Sequence, residues 1–439
     1  MSKNEGILVI GGGIAGMQAS LDLADRGLKV YLIEKSPSIG GRMAQLDKTF
    51  PTMDCSMCIL APKMIECLRH PNITLLAYSE VQEVSGSAGN FTVKILKKPR
   101  FIDEDKCTGC GVCAQHCPVE VPNEFDMGLG FRKAIYVPFP QAVPLKCTID
   151  EENCLKCGLC ERICGAGAVD LDQQPEIVNL TVGVIIVATG FELFDSRRIS
   201  EYGYGRYQDV LTSLEFERLL SASGPTGGHI VRLSDGRIPR RIVFIQCVGS
   251  RSQRGELPYC SSVCCMYATK EALLIKEHNP KCEVYILYMD LRVFGKGFQE
   301  FINKARDEYG VKYIKGRPSS IEKDPETGEL LIRYEDTIEH GIREIEADLV
   351  VLCPALIPTR DNRKLAKILN IELDEYDFFK AEDTLLAPIN TSAPGVFICG
   401  YCQGPKDIPE SVAQASGAAA RAAEIIASTP KGEVKNGSG

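Results

Sequence analysis

The residues most able to do chemistry in this chain are cysteines, twenty of them in 439 residues. Eight fall into two matching runs: Cys107, Cys110, Cys113 and Cys117, followed by Pro118, and then Cys154, Cys157, Cys160 and Cys164. Each run reads C-x2-C-x2-C-x3-C. Three closely spaced thiolates on a short loop wrap three iron corners of a cubane cluster, and the fourth reaches across to a second cluster. The expected ligand sets are Cys107, Cys110 and Cys113 with Cys164, and Cys154, Cys157 and Cys160 with Cys117. That makes two 4Fe-4S clusters. Tetrahedral zinc also accepts C-x2-C pairs and is the competing reading. Gly165 stands where a second proline is usual, and 36 residues separate the runs, a long connection for a two-cluster module.

A second group, Cys247, Cys260, Cys264 and Cys265, has the spacing C-x12-C-x3-C-C. This is not a common ferredoxin pattern. A third 4Fe-4S cluster is the favoured reading, with a redox dithiol and inert core thiols as alternatives. Cys55 and Cys58, in Pro51-Thr-Met-Asp-Cys55-Ser-Met-Cys58, suit a redox-active dithiol, half of a metal site or buried bystanders. Cys147, Cys282, Cys353, Cys399 and Cys402 stand singly and read as core thiols.

Such groups need a scaffold. Ile7 to Ile10 reads as a buried strand, followed by Gly11-Gly-Gly13-Ile14-Ala15-Gly16, a helical stretch from Met17 to Arg26, and a strand from Val30 to Ile33 that ends in Glu34. Glycines in this frame let the backbone approach a pyrophosphate at a helix N-terminus, and the acid sits where a ribose hydroxyl would be. Lys35 follows, then Gly40-Gly41-Arg42. This second glycine pair resembles FAD-binding two-dinucleotide-fold flavoproteins. So do Ala188-Thr189-Gly190 after the strand Val184 to Val187, and Gly400 after Gly395 to Cys399. The aspartate usual after that last glycine is Tyr401 here, with Asp407 and Ile408 a few residues on. FAD is the cofactor expected from the start, middle and end of the chain.

A second strand–loop–helix frame begins at Arg241. Its phosphate-binding glycines are replaced by Cys247, Cys260 and Cys264-Cys265, so NAD(P) binding is expected to be lost or badly impaired. Lys270 falls on the following helix, Met266 to His278. A solvated lysine is the ordinary reading there. If the helix faces the flavin, Lys270 is a candidate contact to flavin N5.

The expected fold is α/β: a two-dinucleotide-binding-domain, thioredoxin-reductase-like flavoprotein with an inserted α+β bacterial-type two-cluster ferredoxin module. Its parts are FAD-binding segments at 1–97, 177–237 and 346–429, the inserted module at 98–176, a second Rossmann-like domain at 238–345, and a flexible tail at 430–439. The ends of an insertion should lie close together on the host. Length and hydrophobic content (44%) suit two or three full cores. A net charge of −8 argues against nucleic acid as a partner. No apolar run reaches a membrane span, and cluster-type cysteine spacing without a signal peptide points to a reducing cytoplasm.

Taken together, Thr49 to Cys58, the inserted module, Cys247 through Cys265, and Gly400 to Ser416 with Gly404-Pro-Lys-Asp407-Ile-Pro resemble the heterodisulfide reductase A-subunit family over nearly the whole chain. Larger members of that family carry an extra N-terminal cluster domain and a C-terminal ferredoxin domain, both expected to be missing here. The resemblance implies an oxidoreductase whose flavin splits electron pairs between a high- and a low-potential path (electron bifurcation). It also implies docking to heterodisulfide reductase B- and C-like subunits, a hydrogenase or formate dehydrogenase module, and ferredoxin, in a hetero-oligomer with dimerisation an open option. The rival readings are an NAD(P)H-dependent flavoprotein oxidoreductase, a non-bifurcating wiring and docking component, and a dithiol reductase using Cys55 and Cys58.

Overall fold

The computed structural model describes residues 6–252 and 257–428; the tail expected at 430–439 lies outside the described residues. In chain order, the α-helices among the described residues are α1 (Ile14–Ala24), α2 (Ser56–Arg69), α3 (Val112–His116), α4 (Leu159–Ile163), α5 (Ser213–Leu220), α6 (Cys264–His278), α7 (Phe298–Asp307), α8 (Asn362–Leu369) and α9 (Ile408–Ser428).

Two sheets organise them. The first has five parallel strands in the order Val396–Ile398, Val184–Val187, Gly6–Ile10, Lys29–Glu34 and Ile73–Ala77. The first three of these are buried along their whole length. A strand covered on both faces reads as an unbroken apolar run, which is how these appear in the sequence. α1 and α9 pack against each other over this sheet. The contact face of α9 includes Ala415, Ala418, Ala419 and Ala422, all fully buried, and side chains this small allow close approach of helices.

An antiparallel sheet of Ser79–Ser87, Asn90–Lys97 and Glu176–Val182 flanks the first. Glu176 pairs directly with Lys97, so the segment between them leaves and rejoins its host at one place. That segment contains α3, α4, two short strand pairs and both four-cysteine runs. Arg100 is almost fully buried and docks it. Its Nη2 donates to Pro37 O at 2.6 Å and its Nη1 to Thr148 Oγ1 at 2.8 Å, while Nε lies 2.9 Å from Glu104 Oε1. Val143 N donates to Ser38 Oγ at 2.8 Å, and Ile39 N to Val143 O at 3.0 Å. The module is thereby bonded to the loop that follows Glu34.

The second sheet has seven strands, in the order Val210–Thr212, Leu349–Pro354, Arg241–Val248, Glu283–Tyr288, Lys312–Lys323, Leu330–Asp336 and Gly341–Ala347. The pairings are parallel up to Lys312–Lys323 and antiparallel beyond it. The sheet therefore takes in more chain than 238–345. Leu349–Pro354, which falls in the segment 346–429 expected on the FAD side, pairs instead with Arg241–Val248. Such a strand is buried on both faces in either sheet, so its composition carries no mark of which sheet it joins. No helix among the described residues is long and apolar enough to cross a membrane.

Candidate cofactor site and cysteine centres

A cavity of about 950 Å³ opens over the C-terminal ends of the first sheet, with walls from the inserted module and from α5 and α6. Two glycines close the junction beneath it. A Cβ on Gly11 (φ +110°) would lie 2.3 Å from Ala188 O, and one on Gly16 would lie 1.8 Å from Gly11 O. Gly13 and Gly190 differ, since a Cβ on either would meet nothing within 4 Å. They present bare backbone to open space. α1 begins beside them without a side-chain cap, and the first N–H groups of a helix are a ready anion site. Arg42 is half-buried in the same wall. Its bond among the described residues is to Gln45 Oε1 at 2.9 Å. Burial pushes its pKa down, opposed by the charge of Glu192. A half-buried cation beside bare backbone fits the pyrophosphate of a dinucleotide.

Glu34 is fixed at the cavity wall. Its Oε2 accepts from Gly12 N at 2.7 Å, and its Oε1 accepts from Ser36 N at 2.8 Å and Ser36 Oγ at 2.7 Å. Lys35 lines the cavity and is ion-paired with Asp361. Ile14, Ala15, Gly41, Ala188, Thr189, Gly400, Asp407 and Ile408 also line it, whereas Gly16 lies behind it in the α1 junction. Asp407 exchanges bonds with Glu410 as well. Its Oδ1 accepts Glu410 N at 2.8 Å, and its own N donates to Glu410 Oε2 at 2.9 Å. This is a capping box for α9.

Tyr401, in the place of the expected aspartate, lines the cavity and reaches the cysteine loop. Its hydroxyl donates to Ser261 O at 3.2 Å, and its ring lies 4.7 Å from Phe191. Lys406, the lysine of Gly404-Pro-Lys-Asp407-Ile-Pro, holds this loop from within. Its Nζ donates to Gly400 O, Gln403 Oε1 and Gly404 O at 2.8–2.9 Å.

Lys270 is not solvated. It is 1% exposed, lines the cavity, and forms an ion pair with Glu217 of α5. Glu217 Oε2 also accepts Asp47 N at 2.9 Å. Glu271, next in the chain, is fully buried on the same wall, and among the described residues its carboxyl faces the carboxyl of Glu217 with no other hydrogen-bond partner. Burial, reinforced by Glu217, raises its pKa well above the usual carboxylate range. α5 is legible in the sequence only as a helix. Its Arg218, also buried, bonds Asp126 Oδ1 at 3.0 Å and Gln45 O at 3.1 Å, joining the second sheet to the module and to the loop after Gly41.

The two runs in the module fold alike. Gly109 and Gly111 have φ of +71° and +76°, and Lys156 and Gly158 repeat this at +51° and +68°. α3 and α4 start from the second residue of each pair. Cys154, Cys157, Cys160 and Cys117 line one small cavity. Cys107 and Cys113 are buried near Cys160 and Cys164 in the module's core; Cys110 is exposed. Cys147 is a core thiol, 3.6 Å from Cys113 Sγ.

Cys247, Cys260, Cys264 and Cys265 also come together. Cys247, next to last in the strand Arg241–Val248, has φ +59°, and Cys264 and Cys265 open α6. The thiols influence one another electrostatically, and burial pushes Cys265 up to about 11. Backbone N–H groups point at two sulfurs: Ser262 N at Cys260 Sγ (3.4 Å) and Arg292 N at Cys265 Sγ (3.5 Å). Arg251, paired with Asp290, stands beside Cys247. No three His, Cys, Asp or Glu side chains among the described residues converge on a single ion. The ligands of a cubane each face a different corner, so they stand further apart than the ligands of one zinc. Cys55 and Cys58 are bonded as a disulfide, Cα–Cα 5.2 Å, and exposed.

Three family models match the chain: FAD dependent oxidoreductase at residues 6–55, 4Fe-4S binding domain at 100–123, and pyridine nucleotide-disulphide oxidoreductase at 262–419. The chain is 56% identical to an iron-sulfur A-subunit (number 1) of CoB--CoM heterodisulfide reductase from Methanopyrus kandleri, over 99% of this chain and 67% of that protein. The chain belongs to the heterodisulfide reductase A-subunit family. It is 59% identical to the iron-sulfur A-subunit of CoB--CoM heterodisulfide reductase from Methanocaldococcus jannaschii, over 94% of this chain. It is 58% identical to the A-subunit of H(2)/formate:CoB-CoM heterodisulfide,ferredoxin reductase from Methanococcus maripaludis, over 95% of this chain. It spans 63% of the length of each of these two relatives. The fold is similar to thioredoxin reductase of Lactococcus lactis (TM-score 0.54, 15% identity, 98% of this chain and 100% of that one). It is similar also to that of T. acidophilum (TM-score 0.52, 14% identity, 96% and 98%). FAD and 4Fe-4S clusters are thus the cofactors of this family fold. The pyridine-nucleotide match begins at residue 262, within the loop in which cysteines replace glycines, and leaves out the strand Arg241–Val248, Cys247 and Cys260.

Proposed function

We propose that the chain is an FAD and iron–sulfur electron-transfer subunit of a heterodisulfide-reductase-like complex. It exchanges electrons between a two-electron donor or acceptor and low-potential ferredoxin-type carriers, with bifurcation at the flavin. The observation that carries this reading is the shared wall of the cofactor cavity and the third cysteine centre. Val263 lines the cavity within the Cys260–Cys264 loop, and Tyr401 bonds Ser261 of that loop.

In this reading Gly11, Gly13, Ile14, Ala15 and the N-terminus of α1 hold the pyrophosphate, Arg42 neutralises it, and Glu34 serves the ribose. Gly41, Ala188, Thr189, Gly190, Gly400, Asp407 and Ile408 complete the cradle, and Gly16 keeps α1 close beneath it. When bound, FAD supplies the exchange between two-electron and one-electron chemistry, and the clusters supply one-electron transfer. Lys270 holds a positive charge at the cavity wall, placed to tune the cofactor at N5, with Glu217 fixing its position. Glu271 holds a proton in the same wall. Cys247, Cys260, Cys264 and Cys265 ligate a third 4Fe-4S cluster, and the two runs in the module ligate two more. Hydrogenase, formate dehydrogenase and ferredoxin are the partners proposed from the relatives' names, with B- and C-like subunits carrying the terminal substrate.

The test is iron and FAD per chain on anaerobically purified protein, with and without Cys260→Ser. Three clusters give about twelve iron, and the variant should lose about four of them. About eight iron, unchanged in the variant, would turn the third centre into a thiol site and remove the wire beside the flavin.

A further inference from the structure

We propose that Lys146 and Cys147 set the two clusters of the inserted module at different potentials, raising the one held by Cys107, Cys110, Cys113 and Cys164 above the one held by Cys154, Cys157, Cys160 and Cys117. The inference rests on the cluster reading above and adds an order within the module. Cys147 is 2% exposed. Its Sγ lies 3.6 Å from Cys113 Sγ, within hydrogen-bond distance for sulfur. Lys146, the residue before it, donates from Nζ to Cys107 O at 2.6 Å. Two neighbouring residues thus reach two ligand residues of one cluster.

A cysteine that binds iron does so as the thiolate and has no proton to give. Across this contact Cys147 is therefore the S–H donor and Cys113 the acceptor. Cys147 stands too close to Cys113 to be a further ligand, since the ligands of a cubane face different corners. Hydrogen bonds to the sulfurs and nearby charge set the potential of such a cluster. The reduced form carries one more negative charge, so a donor on Cys113 Sγ and an ammonium beside Cys107 both favour it. Reduction adds one electron, breaks no bond and leaves the proton on Cys147.

The other centre is built differently. Each set receives one backbone donor, Ala168 N to Cys164 Sγ at 3.3 Å and Lys156 N to Cys154 Sγ at 3.4 Å, and these balance. Among the described residues no fifth cysteine lines the cavity of Cys117, Cys154, Cys157 and Cys160, whose walls are largely apolar. Lys156 lies on that loop, but its side chain is 64% exposed and faces Glu151 at 4.0 Å, so its charge is screened. Val143, just before Lys146, is bonded to Ser38 and Ile39 of the cofactor wall. Electrons that enter at the second run then pass downhill to the cluster whose tuning segment is tied to that wall.

The test is a redox titration followed by electron paramagnetic resonance, on the full chain purified anaerobically with its iron and flavin and poised with dithionite and mediator dyes. Cys110→Ala removes a ligand and marks the signal of the first cluster by its loss. Cys147→Ala should make reduction of that cluster about tenfold less favourable, a fall of about 59 mV for one electron. The other signals and the iron per chain should not change. Cys147→Ser, whose hydroxyl still donates, should restore most of the wild-type potential. Lys146→Gln, outside the core, should lower the same signal alone, and it decides by itself if Cys147→Ala fails to fold. An unmoved signal in Cys147→Ala and Lys146→Gln overturns the proposal, and so does an equal shift of both module clusters. A loss of about four iron in Cys147→Ala would make Cys147 a ligand and overturn it too. Failure of the cluster reading itself would show earlier, as wild type without two module signals, and would take the proposal with it.

Discussion

Two strand–loop–helix units sit at corresponding places in the two sheets and hold opposite chemistry. In the first, the strand Gly6–Ile10 leads through Gly11–Gly13 into α1, and backbone is what faces the cavity. In the second, Arg241–Val248 leads through the cysteine loop into α6, and thiols are what the loop and the first helical turn present. The pairing register shifts between Ile245 and Val248, around Cys247 with its left-handed backbone. Topology delivers a loop and a helix N-terminus to the C-terminal edge of a parallel sheet in both cases. The residue types in the loop then set what each can present on the same frame: bare amides in the first, thiols in the second.

The sharpest way to break that comparison is to exchange the effects. Gly13→Asp puts a carboxylate into open space where nothing lies within 4 Å, so the chain should fold. The anion should repel a pyrophosphate at the helix N-terminus, lowering bound FAD from about one per chain to nearly none. Iron should stay unchanged, the mirror image of the Cys260→Ser result. Absorbance of flavin and iron assay on one sample checks both. If Gly13→Asp loses iron and flavin together, the two loops are one cooperative unit and the contrast drawn between them fails.

The first loop is fully readable in the sequence because each glycine does a local job: Gly11 and Gly16 avoid clashes with backbone a few residues away or across one strand pair. The two module runs are readable for the same reason, since C-x2-C-x2-C spacing is a property of one turn of chain. What cannot be read are contacts set by the tertiary fold. Lys270 reads as a surface lysine because its neutralising Glu217 lies 53 residues earlier, on a helix of the same sheet. Arg218 and Arg100 are buried cations whose partners belong to other segments. Leu349–Pro354 shows why strand assignment to a sheet fails even when the strand itself is plain. Tyr401 is visible as a departure from a flavoprotein pattern, but the direction of its side chain is not.

A smaller effect tests the acidic wall of the cavity. Glu271 has its pKa raised in the folded chain by burial first and Glu217 second, with Lys270 opposing. Above the unfolded carboxyl value near 4.3, the folded chain keeps a proton that the unfolded chain has released. Folded protein then binds more protons than unfolded, so this group's contribution falls as pH rises, by about 1.4 kcal/mol per pH unit until the folded group ionises. Glu271→Gln removes the proton exchange. Its melting temperature should lose less than that of wild type between pH 5 and pH 8, measured calorimetrically on flavin-loaded protein. An equal loss in both would place the proton elsewhere.

The smallest expected effect concerns a bond from the Gly400 loop of the cofactor cavity to the cysteine loop. Tyr401→Phe keeps the ring against Phe191 and removes the hydroxyl from Ser261 O. One hydrogen bond between neutral groups contributes about 1 kcal/mol, so the melting point should fall by only a few degrees and FAD and iron should both remain. The informative readout is the iron at the third centre under mild chelator. Ser261 sits between Cys260 and Cys264, and the same residue's Oγ accepts Leu356 N at 3.0 Å. With Tyr401 silent, the loop keeps one of these two anchors, and iron should be released faster from this centre alone. Faster release from all centres would mean that Tyr401 stabilises the fold at large. No change in release would mean that the glycine cradle and the cysteine loop are held independently, and that their shared wall is proximity without mechanical coupling.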